Sequence, residues 1–343
     1  MTSPNPSDRL RALAVGRKAR PSRRALLSGL LAAPLLVAAA CSSTSPSNTA
    51  TGATTGGTGS TGSAAPAKTF TADRPLKISA IPDQDAEKLN RLYGKVSTYL
   101  ESKLGVKVEY VPVTDYAGSV SAFRIGDLDA VWFGGLTGVQ ARIQEPGAVY
   151  LAQRDIDAEF KSVFIANTSA GIAPLTDVSG LAAVKGKTLT FGSESSTSGR
   201  LMPQYFMDQA GVSVDNLEGQ AGFSGSHDKT IAVVEAGTYQ VGALNKAVWD
   251  KTVKEGKVDE SKVKVIFTTP SYYDYHWLAR PDLDATFGAG FTAALGDAIL
   301  ALDSNIAEQK EILELFSAKK FIQTKAENYA KIEEIGGKIG LIK

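Results

Sequence analysis

Four serines and one threonine fall within the six residues Ser193–Ser198. Hydroxyls donate as well as accept, so such a cluster suits a ligand that offers only acceptors, a small anion above all. Lys187-Thr-Leu-Thr-Phe191 ahead of it alternates like a short strand. Arg200 to Ala210, closed by Gly211, reads as a helix, with Pro203 limiting how regular its first turn can be. Backbone N–H groups at a strand–loop–helix junction point beyond the helix start, where the helix dipole favours negative charge. The pattern serves a plain helix cap, for which a single hydroxyl suffices, or an anion cradle, which uses the whole run.

Other side chains carry competing chemistries. Ser226-His-Asp-Lys229 fits the bare S-x-x-K of penicillin-recognising serine hydrolases, but the Ser-Asp-Asn and Lys-Thr-Gly partners and the G-x-S-x-G elbow are absent. Adjacent Tyr272 and Tyr273 would suit a ferric-ion binder. The two histidines, His227 and His276, are too few for a zinc-capturing set. No catalytic residue, metal or cofactor is assigned.

The elements that would position these groups alternate. Strands are expected at 76–81, 106–113, 130–133, 149–152, 162–167, 187–191, 241–244 and 263–268, with helices between most of them. That order predicts mostly parallel sheet with helices on its faces, and ligands beyond the carboxyl ends of the strands. From Asp284 onward the chain is expected to be helical at 285–302, 306–316 and 326–335. A spacing repeats: Tyr116 precedes Gly126 by ten residues, and His227 precedes Gly237 by ten. Eight further on lie Gly134 and Asn245. Two equivalent halves facing each other would gather Tyr116, Gly134–Thr137, Ser195–Ser198, His227 and Asn245 around one cleft. Tyr273 and Tyr275 are candidates for the cleft wall or for hinge packing, and His276 for interlobe packing.

The length of 343 residues allows one large or two medium domains, and 43% hydrophobic with 21% charged residues fits a soluble globular body. Residues 1–40 hold seven Lys or Arg and one acid, so the remainder carries −5 of the net +1. A mildly acidic body argues against nucleic acid as partner. Ser22-Arg23-Arg24 before the apolar run 25–40 has the form of an export signal, by the twin-arginine or general secretory route. Val37-Ala-Ala-Ala40 before Cys41, the only cysteine, resembles a bacterial lipoprotein cleavage site. Ser42–Lys68 has the composition of a flexible tether. The expectation is a monomer lipid-anchored through Cys41 at the extracytoplasmic face.

Tyr116-Ala-Gly118, Ser196-Thr-Ser-Gly199 and Ser224-Gly-Ser-His227 resemble the phosphonate-binding family of ABC-importer solute-binding proteins. Ile78–Asp85, Val131–Thr137 and Gly192–Gly199 are most similar to its branch named for selenate binding. The resemblance implies an α/β, two-lobed periplasmic-binding-protein type II fold, with two mixed sheets flanked by helices on a two-strand hinge. It implies a signal over 1–40, a linker over 41–72, a first lobe over 73–163 and 277–343, and a second over 164–276. It further implies capture of a phosphonate, phosphite or similar oxyanion for an ABC permease and ATPase. The family's oxyanion contacts fall on Ser196, Thr197, Ser198, Tyr116 and His227. Where the family often has a second tyrosine this chain has Phe133, with Thr137 a nearby substitute donor. Ser195 and Asn245 complete the expected ligand set, and Gln84, Asp85, Gly135 and Asp228 the expected wall. Asp228 is the near candidate for an aminoalkyl tail.

Overall fold

The computed structural model describes residues 70–342. The arginine pair, Cys41 and the 42–68 stretch lie outside them. The chain opens with β1 (Leu76–Ala80), α1 (Ala86–Leu104), β2 (Val108–Tyr110), α2 (Tyr116–Ile125), β3 (Ala130–Phe133), α3 (Gly135–Gln144) and β4 (Val149–Arg154). It then crosses to β5 (Ser162–Asn167), β6 (Leu189–Phe191), α4 (Met202–Gln209), β7 (Gly222–Phe223), α5 (His227–Glu235), β8 (Val241–Asn245), α6 (Lys246–Lys254) and β9 (Val263–Thr268). It returns through β10 (His276–Ala279), α7 (Leu283–Phe287), α8 (Phe291–Leu300), α9 (Ala307–Leu315), β11 (Phe321–Ile322) and α10 (Ala330–Ile339).

The strands form a six-stranded sheet, ordered β11-β4-β10-β3-β1-β2, and a five-stranded sheet, ordered β7-β6-β8-β5-β9. Both are mixed, not mostly parallel. In the first, β1 runs parallel to β2 and β3 while β10 is antiparallel to β3 and β4. In the second, β6 runs parallel to β7 and β8 while β5 is antiparallel to β8 and β9. The strand that follows each crossing, β10 or β5, is reversed, because a chain arriving from the other sheet enters from the opposite end; β11 at the edge of the first sheet is reversed as well. The two sheets are therefore topological counterparts. Tyr116 begins the helix before β3 and His227 the helix before the counterpart strand β8, on caps from Asp115 and Ser226.

The crossings pair with each other. Phe160 N–H donates to Tyr272 O at 2.8 Å and Tyr272 N–H to Phe160 O at 2.9 Å. Beside them the Arg154 guanidinium is buried, donating to both Asp157 carboxylate oxygens at 2.7 Å and to Phe316 O at 2.8 Å. Its face lies 4.7 Å from the Tyr275 ring centre. One apolar core runs through Phe160, Tyr272 and Tyr275 and reaches both sheets, and a smaller cluster around Val163, Leu244 and Trp249 backs the second.

The helix expected over 285–302 is two helices. Gly288 at φ 111° and Gly290 at φ 83° occupy backbone conformations that break the first helix and start the second. β7 and β11 are two-residue strands, too short to show a period. Among the described residues no helix is long and apolar enough to cross a membrane.

Candidate functional site

The Ser-rich turn begins its helix earlier than the sequence suggests. Thr197–Leu201 forms a wide π turn that runs into α4, so the helical backbone starts three residues before Arg200. Pro203 explains the irregularity: it has no N–H to give the carbonyl four residues back. That carbonyl, Gly199 O, instead accepts from Gly192 N–H at 2.9 Å, which ties the end of β6 to the helix start. The approach is close enough that a Cβ on Gly199 would sit 3.3 Å from Gly192 Cα and 3.0 Å from Ser196 Oγ.

The hydroxyls then divide their work. Ser196 caps the turn, its Oγ accepting Gly199 N–H at 2.9 Å. Thr197 Oγ1 accepts Leu136 N–H at 2.9 Å, so it bonds the start of α3 across the cleft. Ser198 Oγ is buried without a hydrogen-bond partner, and so is the Tyr116 hydroxyl from the other sheet. Tyr116 stands at the start of α2 and Ser198 in the turn before α4, on opposite lobes. Ser196 lies close enough to Tyr116 to favour its ionised form, without a well-formed bond, while burial raises that phenol well above its ordinary value. Thr197 and Ser198 N–H, the first two of the helix, have no intrahelical acceptor. Ser195 is half-buried.

Other expected contacts are spent elsewhere. Thr137 Oγ1 donates back to Gly134 O at 3.1 Å, which uses its only proton. Phe133 packs edge-on against Phe123. His227 lies 3.2 Å from the Tyr275 hydroxyl through Nε2 and 3.5 Å from Asn245 N–H through Nδ1. With Nδ1 accepting, Nε2 carries the proton, and desolvation lowers the ring to about 4, so it is neutral. Asn245 caps α6 through Oδ1 and donates Nδ2–H to Tyr275 at 3.3 Å. Tyr275 in turn donates to Asp83 Oδ2 at 2.8 Å. Its hydroxyl thus joins Asp83 of one lobe to His227 and Asn245 of the other. Burial lifts Asp83 to about 6, opposed by this bond.

Asp228, the candidate for an aminoalkyl tail, accepts from Asp85 N–H at 2.7 Å and from Lys88 Nζ at 3.2 Å. Asp85 itself caps α1, and Gln84 is half-buried beside it. Tyr273 leans on Tyr329 while the Tyr272 hydroxyl bonds Ser162, so these phenols do not converge as iron ligands would. Ser226 caps α5, its Oγ 3.5 Å from Lys229 N–H. His276 is packed between Tyr150 and Tyr329. Among the described residues no group of three or more His, Cys, Asp or Glu is placed to hold a metal.

The residue that sequence reasoning missed is Asp274. It is wholly buried; Oδ1 accepts Gly135 N–H at 2.9 Å and Oδ2 has no partner. Burial raises it to about 7, opposed by the Gly135 bond and by the Thr197 hydroxyl beside it. A carboxyl therefore stands against the same hydroxyl that joins the lobes. Its only mark in the sequence is an acid inside an aromatic run.

Comparison with known proteins follows this geometry. Residues 78–329 match the family described as "ABC transporter, phosphonate, periplasmic substrate-binding protein". A "Probable ABC transporter phosphite binding protein PhnD1" from Prochlorococcus marinus is 48% identical over 80% of this chain and 93% of its own length. A structure of PhnD1 from that organism in complex with methylphosphonate superposes with a TM-score of 0.77, covering 78% of this chain and 98% of that one. The Escherichia coli phosphonates-binding periplasmic protein is 27% identical over 60% of this chain and 61% of its own length.

Proposed function

Because the chain belongs to the phosphonate family of periplasmic substrate-binding proteins of ABC transporters, we propose that it captures a small phosphorus oxyanion, methylphosphonate or phosphite, in the hollow between Tyr116 and Ser198. Its homologues bind substrates for transport and are not enzymes. The observation that carries the reading is the pair of buried, unpartnered hydroxyls supplied by opposite lobes. Buried polar groups are rarely left unpaired, and an acceptor-only ligand satisfies both at once. Neutral donors and a helix start avoid burying a fixed cation. Each such bond to an anion contributes about 1.5–3 kcal/mol, and micromolar affinity needs about 8 kcal/mol net. Ligand bonded to both lobes stabilises the closed state, and closure rather than chemistry is the mechanism.

Asp274 narrows the ligand. An anion that keeps a proton can give it to the carboxyl, whereas selenate or sulfate requires Asp274 itself to be protonated. This favours phosphorus oxyanions over selenate, the ion suggested by the branch name. The aminoalkyl phosphonates lose their expected partner, since Asp228 is already engaged. Delivery to a permease, and anchoring through Cys41 at the extracytoplasmic face, belong to the same reading.

Calorimetry with methylphosphonate, phosphite, phosphate, selenate and sulfate tests it. The first two should bind, and Tyr116→Phe with Ser198→Ala should weaken them by roughly 100-fold or more, at about 1.5–3 kcal/mol per bond. Removing two orphaned hydroxyls should not lower stability, so unchanged affinity in a folded double variant would falsify the site. In cells, Cys41→Ser should move the protein out of the membrane fraction; unchanged partitioning would sink the anchor.

A further inference from the structure

Two contacts between the lobes lie away from the anion hollow. The Asp228 carboxylate, at the start of α5, takes Asp85 N–H at 2.7 Å and Lys88 Nζ at 3.2 Å, both at the start of α1. Lys251, on α6, donates Nζ–H to Glu314 O and Leu315 O, each at 3.3 Å. Those carbonyls end α9, where helix carbonyls lack intrahelical donors and the dipole favours a cation. α5 and α6 belong to the second lobe, α1 and α9 to the first. The facing helices do not close up between the two contacts: residues including Gln84, Arg91, Lys251, Lys257 and Leu315 line a hollow of about 610 Å³. Leu89, Leu92 and Leu315 line the hollow beside charged side chains, so polar contacts bridge this flank of the closure where the apolar surfaces stay apart.

We propose that Asp228 and Lys251 form a clamp that holds the lobes closed without touching the ligand, and so set how long a captured anion stays. The inference rests on the reading of the protein as a closing oxyanion receptor. An anion cannot leave until the lobes part, and parting breaks both contacts. Their free energy therefore enters the dissociation rate. Encounter with the open form precedes both contacts and is left largely unchanged. The clamp is blind to ligand identity, so it shifts the residence of every anion alike, in contrast to a change at Tyr116, Ser198 or Asp274.

Stopped-flow binding of methylphosphonate to the full mature chain, read by intrinsic fluorescence, provides the test. Asp228→Ala and Lys251→Met should each raise the dissociation rate roughly 2- to 5-fold, as expected for partly exposed charged contacts. The association rate should change less than twofold, and the affinity ratio of methylphosphonate to phosphite should stay that of the wild type. Lys251→Arg, which keeps a cation at the α9 carbonyls, should restore most of the residence time. Small-angle scattering should find both loss variants more open than wild type at equal subsaturating ligand. Dissociation rates equal to wild type in Asp228→Ala and Lys251→Met, with anion binding retained, overturn the clamp and leave the receptor reading intact. A changed anion ratio also overturns it, because the residues would then touch the ligand. A wild type that binds no anion of the panel overturns the receptor reading and the clamp with it.

Discussion

At the scale of single residues, Asp274 is the site carboxyl raised furthest, to about 7 against about 6 for Asp83. Its unfolded value is near 3.8 and its folded value about 7, so the folded protein binds the extra proton. A raised carboxyl contributes stability that is fully present below the unfolded value and is lost as pH rises through about 7. The imidazoles act the other way. His227 and His276 are lowered to about 4 and about 3 from 6.5, so their contribution is lost on acidification and is complete above pH 6.5. From about pH 7 upward Asp274 is therefore read without the imidazoles and with Asp83 largely ionised already. A fully ionised Asp274 beside a buried anion repels it, so affinity for sulfate should fall as pH rises from 6 to 8. Sulfate serves because its own charge is constant there. Asp274→Asn should flatten that profile in calorimetry; an equally steep fall in the variant would show that another group titrates. The hydroxyl run was legible because residue type alone marks it. Asp274 was not, because its meaning comes from burial against Gly135 and Thr197, contacts made only when the chain crosses back from the second sheet.

At the scale of elements, the site depends on one irregular turn. Pro203 removes the N–H that would occupy Gly199 O, and Gly192 N–H takes the place. The same contact brings two glycine Cα atoms together, so Gly199→Ala places a methyl 3.3 Å from backbone and 3.0 Å from the capping Ser196 hydroxyl. Backbone cannot yield as a flexible side chain does. Overpacking of this kind costs about 1–3 kcal/mol. Gly199→Ala should lower the unfolding free energy measured in urea by that much and abolish detectable anion binding, whereas Gly337→Ala, with open space around it, should leave binding unchanged. Wild-type affinity in Gly199→Ala would mean the turn can widen without disturbing the donors. Pro203 and the terminal glycines were visible in the sequence, and so was the helix opened by Tyr116, while the one expected from Asp228 begins one residue earlier, at His227. The π turn was not visible, because its bonds from Leu201 N–H to Ser196 O and from Met202 N–H to Thr197 O reach five residues back with no residue type to mark that choice over four. The reversed strands β5 and β10 were hidden for a related reason: direction within a sheet follows from the crossings, not from local pattern.

At the scale of the molecule, the question is whether two sheets make two folding units. Each has its own strands and helices, and the crossings meet at a single bridge between Phe160 and Tyr272. That topology alone would allow separate unfolding. The interior argues otherwise. The larger core is continuous through Phe160, Tyr272 and Tyr275 and includes Trp132 and Trp277 of one sheet and Phe164 and Phe191 of the other. The buried Arg154–Asp157 pair stands in the middle of it, stacked on Trp132, Phe160 and Tyr275. Opening either lobe would strip apolar surface from the other and expose half of a buried ion pair, which is strongly destabilising. Scanning calorimetry of the ligand-free protein should therefore give one transition, with calorimetric and van't Hoff enthalpies equal. A ligand at one hundred times its dissociation constant adds about 2.7 kcal/mol, which for a body of this size moves the midpoint upward by roughly 5 °C. The shift should move the whole transition. Two resolved transitions, only one of them raised by methylphosphonate, would mean that the hinge aromatics do not couple the lobes and that the ligand rests on one lobe alone.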